Sequence, residues 1–321
     1  HTGEHIISGI AHRMFGCENR GFHMSENADG TVCFFTVDTD RELTEENIRD
    51  IETAANEAIA VNGLTPSSSA AGINAAIRRG DAFAVATART PATVGEILAP
   101  ISGALPAVVM NGAGIYDFEK REFVRLLPLK RSAAEAAREA LKALSMSGFW
   151  YTVQGEKLFV YYDQLENLSQ QMFFDLRKKK PMKVFVQGSC PEGVEVVFCC
   201  VIDSEERTAR LAETLSPIPG MVFHRYRDSY NPDSWYVEIY DQAASKAAGI
   251  RWLKENYGGS RVVCFGDNRN DLQMFAEADE CYAVANAVPE LKAAATGILT
   301  DPDLAAVGRF IEKDSNQQKG E

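Results

Sequence analysis

Short apolar runs alternate with amphipathic stretches along most of this chain, a pattern of strands and helices in turn. The sharpest run is Val262-Val-Cys-Phe265, which ends in Gly-Asp. Leu272, Met274 and Phe275 then open an amphipathic helix, so a buried parallel strand with its carboxyl end at Gly266 is expected. Upstream, residues 70–79 read as a short amphipathic helix stopped by Gly80-Asp81, and residues 82–86 as a buried strand closed by Thr87. Residues 107–110 form the next strand, with Asn111-Gly112-Ala113 as a loop at its end. From 114 to 235 the character changes. Strand-like runs at 149–153, 158–162, 183–187 and 195–202 alternate with helices near 132–144 and 205–214, which reads as an α+β insert. The run 235–239 is read as the return to the core, followed by a helix carrying Lys246, a strand at 261–265, another at 282–284, and core segments at 291–298 and 305–311. At the other end, a strand near 31–37 precedes a helix starting at Thr44 and reaching about residue 60, with Thr44 as N-cap and Glu45 and Glu46 in the first turn. Residues 62–69 are turn-rich and mark a domain boundary. Residues 317–321 are a polar tail, expected to be disordered.

The chain has 321 residues, enough for two or more domains and a sizeable core. Its 45% hydrophobic and 24% charged content is that of a soluble globular protein. A net charge of −12 argues against a broad nucleic-acid or anionic-membrane surface. None of the seven cysteines sits in a Cys-x-x-Cys pair, usage that suits a reducing, cytoplasmic setting. There is no membrane-length apolar run and no signal peptide, so no membrane association is expected. The chain opens on His1 and not on Met, as a fragment or a trimmed chain would.

Open α/β sheets place ligands just outside the carboxyl ends of their strands. Asp267 and Asp271, with Asn270 between them, put an oxygen-rich cluster there, of the kind Mg²⁺ prefers. The bland alternative is an acidic helix start that complements the helix dipole. The Thr87 hydroxyl, together with free N–H groups of the next helix, could hold a phosphate oxygen, and the same geometry would serve as an N-cap. Lys246 would carry positive charge toward the carboxylates. Arg177-Lys178-Lys179-Lys180 reads as a solvated helix end. His1 and His5 share a helix face and could hold Zn²⁺, but two histidines are half a zinc site.

Residues 65–311 resemble the haloacid dehalogenase superfamily, class IIB, the Cof-type sugar-phosphatase branch. Gly266-Asp267-x-x-Asn270-Asp271 is similar to its fourth motif, Lys246 to its third, and Thr87-Ala88-Arg89 to its second. The resemblance implies a Rossmannoid parallel sheet at 63–113 and 236–314, with an α/β cap at 114–235 closing over the substrate. It implies Mg²⁺ on Asp267 and Asp271, Lys246 as a catalytic charge, and a small phosphorylated metabolite held near Thr87, Ala88, Arg89, Asn111 and Asn270. The family's first motif, Asp-x-Asp-Gly-Thr, supplies the nucleophile and the general acid–base, and no Asp stands just before Thr65. Asp38-Thr39-Asp40 follows an apolar run and has the internal spacing without the Gly-Thr, so Asp38 and Asp40 are the candidates. Asp29-Gly30-Thr31 matches three letters but precedes its strand and is set aside.

Residues 1–62 carry a second resemblance, to the alanyl-tRNA editing (AlaX-like) domain. It rests on His1-Thr-Gly-Glu-His5, Gly21-Phe-His-Met24 and Ile51-Glu-x-x-x-Asn56-x-x-Ile59. It implies an α+β segment with zinc on His1 and His5, but that family's later Cys-x-x-x-His pair is absent. Four basic against twelve acidic residues give the segment a charge of −8, a poor match for tRNA. The reading is therefore a Mg²⁺-dependent phosphatase of small phosphate monoesters joined to a partial editing-type segment. The alternatives are an editing hydrolase or a non-catalytic fusion.

Overall fold

A computed structural model describes residues 19–26, 32–39, 44, 66–228, 233–299 and 306–317. The chain divides into two compact units, residues 1–68 with 303–305, and residues 69–302 with 306–321. In the first unit β1 (Asn19–Glu26) and β2 (Val32–Thr39) pair antiparallel, with Phe22 opposite Val37 and Met24 opposite Phe35. The expected strand at 31–37 corresponds to β2, whereas β1 was not foreseen. Thr44 is exposed; the rest of the helix expected at 44–60 lies outside the described residues, as do His1, His5 and Asp40.

The helix α1 (Pro66–Arg79) begins at the boundary between the units, and the second unit continues with an extended stretch at 82–87, α2 (Pro91–Leu98) and β3 (Ala107–Val109). Extended residues 82–87 run parallel to β3, with Leu105 and Val108 N–H groups donating to Phe83 and Val85 carbonyls, both at 2.8 Å. The stretch was expected to be a buried strand. It makes only the single bridge Ala86–Val108, and residues 83–86 are half-buried. Among the described residues it has a ladder on one side only, and that one-sided pairing leaves the segment irregular. β4 (Gly114–Asp117) and β5 (Glu122–Leu126) continue antiparallel from β3 in a three-stranded sheet of order β3-β4-β5.

Next come α3 (Arg131–Ala143), β6 (Phe149–Gln154), β7 (Lys157–Tyr162), α4 (Leu168–Arg177), β8 (Lys183–Gln187), β9 (Val196–Asp203), α5 (Glu205–Leu215), β10 (Met221–Arg227) and β11 (Trp235–Asp241). Six of these form one sheet in the order β10-β11-β9-β6-β7-β8, antiparallel except for β7 and β8. Side chains alternate across it, as a pleated strand requires. Cys199, Val201, Val237 and Ile239 pack on one side with alanine-rich α3 and with α5. Cys200, Ile202, Tyr236 and Tyr240 lie on the other with Phe173 of α4, and that cluster runs on into Val94, Val109 and Met110. The α+β insert expected from the sequence is this sheet and its helices. β11 differs: read as the return to the core, it lies between β9 and β10. A nearly continuous apolar run marks any strand buried on both faces, so its pattern does not distinguish a core sheet from a cap sheet.

The chain then forms α6 (Lys246–Tyr257), β12 (Val263–Gly266), α7 (Leu272–Phe275), β13 (Glu280–Val284), α8 (Pro289–Ala294), β14 (Gly297–Leu299) and α9 (Ala306–Gln317). β12, β13 and β14 are parallel neighbours, as expected for a doubly wound core. Residues 291–298 divide between α8 and β14, and the helix expected at 305–311 continues to Gln317. Phe310 of α9 packs on Phe265 and Tyr282, and Arg261 pairs with Asp314 at 2.7 Å. Among the described residues no helix is long and apolar enough to cross a membrane.

Candidate active site

Three loops meet in the second unit: the one after residue 87, the turn after β3, and the one after β12. The first two are tied by backbone, Asn111 N–H donating to the Thr87 carbonyl (3.0 Å) and Met110 N–H to the Arg89 carbonyl (3.0 Å). The turn after β3 is tight and left-handed, with Asn111 at φ 52°, ψ 29° and Gly112 at φ 91°. A Cβ at residue 112 would lie 2.1 Å from the Ser245 carbonyl oxygen. Glycine is therefore required twice, for the backbone angle and for contact with the start of α6.

That contact fixes where α6 begins. The Ser245 hydroxyl accepts from the Ala248 N–H at 3.0 Å and caps the helix. Lys246 is its first residue, a position where the helix dipole disfavours a cation. Asp271 compensates: Lys246 Nζ lies 2.6 Å from Asp271 Oδ1, and both residues are buried, at 8% and 2% exposure. The other carboxylate oxygen, Oδ2, accepts from the backbone N–H groups of Asp267 (2.9 Å) and Asn268 (3.1 Å). Gly266 makes room for this fold-back, since a Cβ there would lie 2.7 Å from Asp271 Cβ. Asp271, expected as a metal ligand, thus accepts from Lys246 on one oxygen and from its own loop on the other.

Asp267 lies at the same loop, more open to solvent than Asp271 but with its carboxyl partly desolvated. Partial burial and the adjacent Asp271 charge raise its carboxyl above the usual range, and Lys246 offsets part of this. A second cation beside Asp267 would relieve that repulsion, and a carboxylate with neighbouring amide oxygens is a donor set suited to Mg²⁺. Among the described residues no three His, Cys, Asp or Glu side chains cluster as a ready metal cage.

Asn270 Nδ2 donates to Asn111 Oδ1 at 3.3 Å, so two amides expected from the sequence meet. Thr87 Oγ1 accepts from the Arg89 N–H at 3.1 Å, which leaves its own O–H free to donate elsewhere. The Arg89 residue is exposed and Ala88 is half-buried. Asp38 is the penultimate residue of β2, in the first unit.

In the second unit a cleft of about 240 Å³ is lined by Asn111, His224, Ser245, Lys246, Arg269, Asn270 and Gln273; Thr87, Ala88, Arg89 and Asp267 are not among its lining residues. Every lining residue is of a polar or charged type, and none is a carboxylate. His224, from β10, brings the insert sheet to the cleft, and burial together with the Lys246 charge depresses its pKa. Sequence reasoning missed His224, Arg269 and Gln273. No motif marks His224, and Arg269 and Gln273 were passed over as letters within a loop already singled out for its carboxylates.

Residues 29–311 match the family model of haloacid dehalogenase-like hydrolases. The chain belongs to that family. The match begins at Asp29, well upstream of the expected Thr65, and so takes in residues 29–62, which the sequence had suggested were an editing-type segment. A haloacid dehalogenase-like hydrolase from Bacteroides thetaiotaomicron superposes with a TM-score of 0.62 at 20% identity, over 77% of this chain and 92% of that one. A HAD subclass IIB sugar phosphatase superposes with a TM-score of 0.60 at 20% identity, over 78% and 91%. These likenesses establish the mixed α/β fold. Phosphoglycolate phosphatase of Sulfurisphaera tokodaii is 39% identical over 77 residues, which are 23% of this chain and 34% of that relative; the matched stretch spans about a third of its length.

Proposed function

We propose that the protein is a Mg²⁺-dependent phosphatase of small phosphate monoesters. The observation that carries this reading is the buried Lys246–Asp271 pair, 2.6 Å apart, beside Asp267 at the carboxyl end of β12 and open to a polar cleft. The phosphatase names of a relative and of a structural neighbour support it. Asp267 would hold the metal. Bound Mg²⁺ would neutralise charge on the phosphoryl oxygens.

The chain's own residues do the rest. Lys246, held by Asp271, adds a fixed positive charge where negative charge gathers. The Thr87 hydroxyl donates to a phosphoryl oxygen, and exposed Arg89 meets the same anion. Asn111, Asn270, Gln273 and His224 offer neutral donors and acceptors to a hydroxylated leaving group. A cleft of about 240 Å³ suits a small metabolite. The family resemblance gives attack on phosphorus and the acid–base work to an Asp-x-Asp pair, for which Asp38 and Asp40 are the candidates, so Asp38→Asn is the variant that examines the nucleophile.

The test is release of inorganic phosphate from a panel of small sugar, polyol and carboxylic-acid phosphates, with Mg²⁺ and with EDTA. Turnover that needs the metal supports the reading. A folded protein that hydrolyses none of them under either condition refutes it.

A further inference from the structure

Glu238 is a carboxylate in the middle of β11, whose other acidic residue is the terminal Asp241, and it is buried, at 8% exposure. It stands on the same side of β11 as Tyr236 and Tyr240, toward the catalytic loops. Tyr240 Oη donates to Glu238 Oε2 at 2.9 Å. Tyr226 lies close to the carboxylate as well, and both tyrosines counter the rise in its pKa caused by burial. Asn111 Nδ2 faces Glu238 Oε2 and Tyr240 Oη, each at 3.4 Å, the long end of the hydrogen-bond range. The far side of the same amide, Oδ1, accepts from Asn270 Nδ2 at 3.3 Å.

These contacts have a direction. A carboxylate accepts and does not donate, and the Tyr240 proton is already given to Glu238. Both groups therefore require the NH₂ of Asn111, so its carbonyl oxygen must face the other way. A carbonyl there accepts only from the NH₂ of Asn270. The Asn270 carbonyl is then the end left for the cleft and for the loop between Asp267 and Asp271. We infer that Glu238 is a positioning residue of the insert sheet, which fixes through Asn111 which end of the Asn270 amide is offered to metal and substrate. This rests on the phosphatase reading only for the use made of Asn270. The amide orientation itself stands apart from it.

The experiment compares the full chain with Glu238→Gln, Asn111→Asp and the double variant. Glu238→Gln keeps the shape but adds a donor, so the Asn111 amide loses its imposed direction. Asn111→Asp alone sets two carboxylates face to face. In the double variant the amide at 238 donates to a carboxylate at 111, which accepts from Asn270 as before. Side-chain amide NMR of the metal-free protein, with Asn270 assigned through Asn270→Asp, reads the orientation. The Asn270 resonances should shift in Glu238→Gln, a residue Asn270 does not touch, and return in the double variant. Mg²⁺ affinity, read by calorimetry, should fall about tenfold in Glu238→Gln and recover in the double variant, the usual cost of losing an outer partner. Asn270 resonances unmoved by Glu238→Gln, or unrestored in the double variant of a folded protein, overturn the inference. Absence of Mg²⁺ binding in the wild type counts against the phosphatase reading instead, and the NMR comparison still decides this one.

Discussion

Lys246 and Asp271, 25 residues apart in sequence, form a buried ion pair at 2.6 Å. The pair joins the first turn of α6 to the loop after β12. Removing one partner leaves the other charged and desolvated. Lys246→Met should therefore cost about 3–5 kcal/mol in urea unfolding, and Lys246→Met with Asp271→Asn distinctly less. With Asp271→Asn measured alone as well, a double-variant loss equal to the sum of the two single losses would mean the pair carries no such coupling.

Asp267 has the opposite character. Its folded carboxyl pKa is raised, by burial first and by Asp271 second. A raised group's contribution is favourable below its unfolded pKa and is lost as pH rises through the folded one, so ionised Asp267 is a burden near neutrality. Asp267→Asn should raise the melting temperature at pH 7, and the gain should shrink as pH falls toward 3. Scanning calorimetry across that range checks the trend.

Gly112 tests the join between the β3 turn and α6. Its φ is 91°, and a Cβ would lie 2.1 Å from the Ser245 carbonyl oxygen and 2.8 Å from the Ser245 nitrogen. Backbone must move on one side or the other. Gly112→Ala should cost more than about 2 kcal/mol by chemical denaturation, combining φ strain with the clash.

His224 supplies a pH dependence from the insert sheet. Its folded pKa is depressed, chiefly by burial and then by the Lys246 charge. The stability linked to it is present above the unfolded value of 6.5 and lost as pH falls below it. The wild type should lose stability between pH 7 and pH 5, and His224→Gln should lose less over the same interval, as read from urea midpoints.

Much of this could be read from the sequence because it is local. The run Val262–Phe265 with its Gly-Asp ending, the insert strands and their two long helices all announce themselves by apolar period. Lys246 was singled out through its place one helix ahead of the Gly-Asp loop. The contact of Asp271 with Lys246 was not visible, because a carboxylate on a loop does not report a lysine 25 residues away. The link from Glu238 through Asn111 to Asn270 spans separations of 127 and 159 residues, which no periodicity reports. One local signal existed: a glutamate amid Trp235-Tyr-Val and Ile-Tyr240 is a charge inside a buried strand, and such a charge needs a partner. The same run hid its sheet, since β11 looks alike in a parallel core and at the middle of an antiparallel sheet.

The most direct test of the account is a calorimetric Mg²⁺ titration of the folded wild type and of Asp267→Asn at pH 7. The account predicts saturable binding to the wild type, weakened as pH falls and Asp267 takes up a proton, and no binding to the variant. Equal binding to both proteins, or none to a wild type that remains folded, would contradict it.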